Sequence, residues 1–450
     1  MRRVSFVLVM FVAGGRVAVG CSSDGGSAPQ APASVDSGTD VVVVVAPDSG
    51  DVSVDASDPD PVPPPGLPDG WEIERTYSKH CGVYVPTTKD HLPPPIGWEA
   101  CPVSSTPSGG TCRLMAIDGD PADKAFPGGA EAAWVRSDGS VVLGAYRSVK
   151  PSWAYSLIAE ADGAVRTAFL ETDLGLCSLA SASGYQDHYS LDVYEHNSGT
   201  GGGLIAGELG DLAPRLAIHL SAQSAHTAYA GSFAILDLTA GFTLDQYAWP
   251  DGARLPSLWS AAQDDGLQQG IPVFADGAAF WPSDNLHYQK MKVYTPSAGV
   301  RDFLSAGMVT THGYDDLGTD GKDLVWLDAQ GRSTDTGPYD TLTIATAPFT
   351  TEPSQVVPRR LRTEQGPGFG ASHFEVGCGY AARSNGEHIR VVRLSDGQSW
   401  ILSNALTDPW GWSEPLALTC TELFATVRVS GVTRLARLRL DSLGPGIAPD

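Results

Sequence analysis

Basic residues are scarce in this chain: 29 Lys and Arg stand against 52 Asp and Glu, for a formal net charge of −23. Phosphate binding needs clustered Lys and Arg, so the shortage excludes nucleic acid as a partner. Long apolar runs are missing as well, and no stretch reaches the ~20 residues that a membrane-crossing helix requires. No long segment keeps a 3.6-residue apolar period between helix caps, which excludes a helical architecture. The sequence contains no GxSxG, no HExxH, no phosphate-binding Gly-rich loop and no GxGxxG after a strand. The common hydrolase, protease and nucleotide signatures are therefore absent. Cysteines never come as CxxC, the close spacing of zinc and thiol-redox sites.

What is present begins with a leader. Met1-Arg2-Arg3 is a positive start, and Val4 to Val12 is apolar but too short to span a bilayer. Small residues then lead to Ala18-Val19-Gly20-Cys21. This stretch resembles the signal of bacterial lipoprotein precursors, whose lipobox ends in a small residue followed by Cys. The resemblance implies that residues 1–20 are removed and that Cys21, diacylated on sulfur, becomes the new N-terminus. It departs from the pattern at Ala18, where Leu is usual, and at Arg16, which interrupts the apolar approach. An ordinary secretory signal with an incidental cysteine is the other reading. Ser22 after Cys21 is not an inner-membrane retention signal by the enterobacterial habit, so the expected location is the outer membrane.

The cysteine count agrees. Seven is an odd number, awkward for an exported chain. Setting Cys21 aside leaves Cys81, Cys101, Cys112, Cys177, Cys378 and Cys420, an even set free to form structural disulfides in an oxidising compartment. Their connectivity is not readable from sequence. The preferred set is Cys81–Cys101, Cys112–Cys177 and Cys378–Cys420.

Residues 21–70 read as a disordered tether. Ser22 to Gly70 carries nine Asp and no basic or aromatic residue, and it ends in Pro61-Val62-Pro63-Pro64-Pro65. Such a segment buries too little apolar surface to offset its chain entropy, and its like charges and prolines extend it. Val41 to Val45 is β-prone, with Asp40, Pro47 and Asp48 as gatekeepers around it.

From residue 71 to residue 450 one unit recurs. Its clearest copy runs from Gly318 to Arg362: the turn Asp320-Gly321, the apolar run Leu324–Leu327, the turn Gln330-Gly331, the run Thr341–Ala345, and a third run near Val356 to Leu361. Short apolar runs bounded by Gly, Asp and Pro are antiparallel strands. Hairpin signals such as Asp138-Gly139, Asp162-Gly163 and Asp396-Gly397 repeat the pattern. Anchors near Trp134, Leu191, Leu236, Ala279, Trp326, Tyr380 and Ala425 recur at roughly 40–55 residues, the period of four-stranded propeller blades. The body resembles seven-bladed β-propellers of the TolB-like or tryptophan–aspartate-repeat type, with six to eight blades allowed. The seventh unit shows only two strands, Leu423–Val429 and Leu435–Leu440. Gly82–Val85 and Arg113–Ile117 are the expected N-terminal strands that complete it and close the ring.

Chemistry-bearing residues are few. His226, His312 and His373 each lie just upstream of an expected inner strand in a different unit, so three imidazoles could converge on the channel rim and hold a divalent metal, with Asp315 and Asp316 beside His312 to complete the site or orient an imidazole. Some propeller lyases and lactonases are built this way, by family analogy alone. The plainer reading is polar residues in blade connections, with no cofactor. Trp410 and Trp412 stand in a Pro-bounded stretch, Asp408–Pro415, where exposed indoles could stack on a sugar or a peptide; the plainer reading packs them between blades. Asp316–Gly321 and Asp118–Asp123 read as turns rather than as calcium loops. The sequence thus points to a monomeric, lipid-anchored envelope propeller that binds or scaffolds a protein or glycan. An enzyme is the lesser reading: a metal-dependent hydrolase or lyase with its site in the channel.

Overall fold

The computed structural model describes residues 69–76, 82–101, 111–115, 130–150, 153–172, 177–195, 202–220, 224–229, 232–237, 243–260, 268–269, 273–284, 289–305, 312–332, 339–365, 373–385, 388–403, 410–429 and 432–448. The leader, Cys21, the tether and Asp118–Asp123 lie outside the described residues.

The first strands are two hairpins, β1 (Trp71–Thr76) with β2 (Gly82–Pro86) and β3 (Trp98–Ala100) with β4 (Cys112–Met115). Consecutive sheets follow. The first contains β5 (Ala130–Val135), β6 (Val141–Lys150), β7 (Trp153–Glu160) and β8 (Val165–Thr172). The second contains β9 (Cys177–Tyr185), β10 (His188–Glu195), β11 (Gly202–Glu208) and β12 (Leu216–Leu220). The third contains β13 (Ser224–Tyr229), β14 (Ser232–Asp237), β15 (Thr243–Ala248) and β16 (Arg254–Ser260). In the fourth, β17 (Gln268–Gln269) and β18 (Val273–Ala275) both pair with β19 (Ala278–Asp284), followed by β20 (Gln289–Thr295) and β21 (Gly299–Ser305).

The fifth sheet holds β22 (His312–Thr319), β23 (Asp323–Arg332), β24 (Tyr339–Pro348) and β25 (Arg359–Gln365). The sixth holds β26 (Phe374–Gly377), β27 (Tyr380–Ser384), β28 (His388–Arg393) and β29 (Ser399–Ser403). The seventh is built from both ends of the body, in the order β3, β4, β32 (Val432–Arg439), β31 (Glu422–Val429) and β30 (Trp410–Leu418). First strands of neighbouring sheets lie against one another from β30 to β5, β5 to β9, β9 to β13, β18 to β22, β22 to β26 and β26 to β30. The architecture is an all-β propeller, and its seven sheets fall inside the range that the repeat spacing allows.

Leu324–Leu327 shows why these sequences make blades. All four residues are buried, so the run does not alternate apolar with polar as a half-exposed strand would. Its period of two is spent between two interfaces instead. Leu324 and Trp326 pack with Phe280, Met291 and Val293 of the fourth sheet, whereas Val325 and Leu327 pack with Ala381, Val392 and Leu394 of the sixth. A blade must be apolar on both faces because each face covers a neighbour. Between strands, Asp320-Gly321 forms the expected turn. Gly321 sits at φ +84°, open to glycine at no steric cost, and Asp320 Oδ1 accepts the N–H groups of Lys322 and Asp323. Asp320 Oδ2 accepts the Gly379 N–H at 2.7 Å, tying this turn to the matching turn of the sixth sheet.

Ring closure differs from expectation in two particulars. β4 does pair with β32, so the N-terminal region completes the last sheet. Gly82–Val85, however, belongs to β2, which adds to the outer strand β8 of the first sheet through Tyr84 and Leu170. The strand that the seventh unit lacked is β30, which carries Trp410 and Trp412. Bulges between Trp412 and Glu414 and between Pro415 and Ala417 break its alternation, and for that reason it reads as a loop in sequence.

Two disulfide pairings are corrected. Cys101 bonds Cys112, not Cys81, and Cys112 is therefore not available to Cys177. Cys101 follows β3 and Cys112 opens its antiparallel neighbour β4, which brings their Cα atoms to 5.4 Å, a normal disulfide span. Cys378–Cys420 forms as expected and joins the β26–β27 turn to the β30–β31 turn, across neighbouring sheets. Cys81 and the side chain of Cys177 lie outside the described residues.

Candidate functional site

The innermost strands β22, β26 and β30 follow one another around the axis, and the polar residues on them form the candidate site. His312 opens β22, and its Nε2–H donates to Asp328 Oδ1 on β23 across 2.7 Å. Gln330 donates to the same oxygen at 3.2 Å, and the Tyr314 ring stands 5.5 Å from the imidazole. Burial alone would raise the Asp328 carboxyl, but the hydrogen bond and charge of His312, with help from Gln330, bring it below the usual range. Burial and then the Asp328 charge push the Tyr314 phenol up to about 12, so it remains a hydrogen-bonding hydroxyl at neutral pH.

His373 immediately precedes β26. Its Nε2 lies 3.2 Å from Glu414 Oε1 on β30, so a second imidazole–carboxylate pair bridges two neighbouring inner strands. Between these pairs lies Glu375, the only charged residue in β26. Burial, followed by the Asp316 charge on β22, pushes the Glu375 carboxyl well above the usual carboxylate range. Phe374 and Val376 flank Glu375 in sequence and pack with the interface between the fifth and sixth sheets. The site is thus a wall of carboxylates and imidazoles. It accepts hydrogen bonds and attracts cations.

Of the expected metal ligands, His226 lies within β13 and His312 opens β22, rather than just upstream of a strand, and His373 lies ahead of β26. The side chain of His226 lies outside the described residues. His312 and His373 are each engaged by a carboxylate of a neighbouring strand. Among the described residues no group of three or more His, Cys, Asp and Glu is placed to hold a metal ion.

Trp412 is not part of an exposed platform. Trp412 is 2% exposed and packs with Ile389, Leu402 and Leu423 between the sixth and seventh sheets. Trp410 opens β30, and its side chain lies outside the described residues. Sequence reasoning missed Asp328, Glu375 and Glu414. Only Glu375 left a trace, a lone carboxylate between Phe374 and Val376 in an otherwise uncharged strand.

No helix among the described residues is long and apolar enough to cross a membrane. No family model matches the chain, and no curated protein does either. Solved structures similar to it include BamB from Moraxella catarrhalis, 13% identical over 82% of this chain and 97% of that one, with a TM-score of 0.40. The β-propeller domain of the Trilobed protease from Pyrococcus furiosus is 8% identical over 71% of this chain and 97% of that one, with a TM-score of 0.45. TolB from Acinetobacter baumannii is 11% identical over 56% of this chain and 63% of that one, with a TM-score of 0.33. At these identities the likeness is one of fold alone.

Proposed function

We propose that this chain is an exported propeller, anchored by lipid at Cys21 and held off the membrane by its acidic tether, that binds or scaffolds a protein partner at the cell envelope. The carrying observation is the acidic inner wall: Asp316, Asp328 and Glu414 stand on strands β22, β23 and β30 of the fifth and seventh sheets. In a chain of net charge −23, such a wall selects a partner that presents Lys or Arg. Burial of Trp412 removes half of the indole pair on which sugar stacking would rest, which favours a protein over a glycan.

Two experiments test this reading. Capture of partners from envelope extracts by the full chain should weaken when Asp316→Asn and Glu414→Gln are introduced together, and it should weaken with added salt. Capture indifferent to both would remove the acidic wall from the account. Cys21→Ser should release the chain from the membrane fraction; retention of that variant would overturn the lipid anchor. The metal-dependent hydrolase or lyase is the rival reading. Elemental analysis of the purified chain separates the two, since a stoichiometric transition metal lost on His312→Ala supports the enzyme.

A further inference from the structure

The C-terminal segment Gly444–Ala448 lies along the outer strand of the sixth sheet. Ser399 on β29 and Ile447 exchange two backbone hydrogen bonds, Ser399 N–H to Ile447 O at 3.0 Å and Ile447 N–H to Ser399 O at 2.7 Å. Side chains hold the segment on either side of that bridge. The Trp400 indole N–H donates to Gly444 O at 3.0 Å, and Arg362 from the fifth sheet donates to Ala448 O at 3.1 Å. Gly446 fits close against Ser399 and Trp400, where a Cβ would meet the Ser399 carbonyl oxygen at 2.9 Å. Pro445 has no N–H and cannot extend the ladder, so the segment caps β29 without becoming a full strand.

The strand under this cap is unusual among the outermost strands. An exposed edge presents unpaired backbone groups and is ordinarily blunted by charge or proline. In sequence, β1 carries Glu72, Glu74 and Arg75, β3 carries Glu99, β16 carries Arg254 and Pro256, β21 carries Arg301 and Asp302, and β25 carries Arg359, Arg360, Arg362 and Glu364. β12, Leu216–Leu220, has His219. β29 is Ser-Trp-Ile-Leu-Ser, with no ionisable side chain at all. Ile401 on this strand is 37% exposed and Ile447 on the cap is 44% exposed, so the apolar edge is only partly covered.

We propose that Gly444–Ala448 is an edge guard, and that its release turns β29 into a docking strand for β29 of a second copy of this chain. Antiparallel pairing of Ser399–Ser403 with itself meets no like-charge penalty, and it replaces the two bonds of the guard with a longer ladder related by a twofold axis. With the guard in place the chain stays monomeric.

The test uses the full chain carrying Cys21→Ser, so that no lipid confounds the mass. Light scattering behind size exclusion should give one chain for this parent. It should give twice that mass when the chain stops after Leu443, and when Ile447→Pro deletes the donor to Ser399. Adding Ile401→Lys to the shortened chain should restore the monomer, because a Lys on each copy meets its twin across the pairing. Amide exchange at Ser399–Ser403 should rise for Ile447→Pro when dilute and fall again when concentrated. A shortened chain that unfolds is recognised by circular dichroism, and Ile447→Pro then decides alone. A folded Ile447→Pro chain that stays monomeric, or a dimer that Ile401→Lys leaves intact, overturns the proposal.

Discussion

The interface that closes the ring and the interface between the fifth and sixth sheets do the same mechanical job with different means. Closure joins chain segments far apart in sequence. It is made by Phe424, Leu435 and Leu416 of the seventh sheet and Met115 of β4 packing on Leu143, Leu157 and Ala168 of the first. Trp98 of the closing hairpin reaches across, donating its indole N–H to Ala161 O at 2.7 Å. Arg437 stands 4.7 Å above that indole and pairs with Asp162 at the rim. The Cys101–Cys112 bridge staples the closing hairpin.

The interface between the fifth and sixth sheets joins sequence neighbours and also has an apolar part, but its outer end is charged. Glu364 on β25 bonds Arg383 on β27 at 2.6 Å and bonds Arg390 on β28 as well. These two arginines face each other directly across the ladder. Arg383 is only 1% exposed, so two cations that would repel are held by one buried carboxylate. Burial would raise the Glu364 carboxyl, yet His388, 3.7 Å away, and the charges of Arg390 and Arg383 pull it down to about 2. Where connectivity does not bring two sheets together, generic apolar area, an indole hydrogen bond and a rim ion pair do. Where it already does, a geometrically demanding charge cluster can set the alignment.

The sharpest way to break this comparison is Glu364→Ala, which leaves both arginines buried without their carboxylate. It should cost about 3–5 kcal/mol in denaturant unfolding. Replacing the trio together, as Glu364→Leu with Arg383→Met and Arg390→Met, should recover most of that loss; failure to recover it would mean that the cluster contributes more than its own neutralisation. Cys112→Ser should cost about 2–4 kcal/mol. In amide exchange its effect should fall on β3, β4 and β32 and spare β25 to β28.

Acid sharpens the contrast further. The Glu364 carboxyl is depressed in the folded chain, so its contribution is complete above the ordinary carboxylate pKa and disappears as pH falls towards about 2. Urea midpoints followed from pH 5 to pH 2 should fall more steeply for the parent than for Glu364→Gln, and parallel curves would remove Glu364 from acid sensitivity. The smallest expected effect is Arg301→Ala. It breaks a surface pair with Glu352, 3.2 Å apart, and should shift stability by less than about 1 kcal/mol.

How much was legible can be judged from particular strands. The Leu324–Leu327 run, the Asp320-Gly321 turn and the Thr341–Ala345 run were plain, because β-propensity and turn chemistry act over a few residues. β30 was not, because Gly411, Pro415 and two bulges disguise its alternation. Gly82–Val85 was recognisable as a strand, yet any free edge would suit it, and only packing chose β8. At the candidate site His312 and His373 stood out as residues beside inner strands. Their carboxylates Asp328 and Glu414 did not, since each comes from a neighbouring strand whose register is set by the assembled sheets.

By itself the sequence determined the class of the molecule: apolar runs of strand length, Gly and Asp turns, and a recurrence of blade size leave little other than repeated antiparallel sheets. It also determined the acidic balance of the chain. Only the tertiary structure decided which edge β2 joins, that Cys101 takes Cys112, that Trp412 is core, and that Glu364 sits between two facing arginines. The physical reason is range. Propensity, turn geometry and charge composition act locally or in sum, whereas pairing between distant strands, disulfides and buried ions depends on which surfaces meet once every blade is covered by its neighbours.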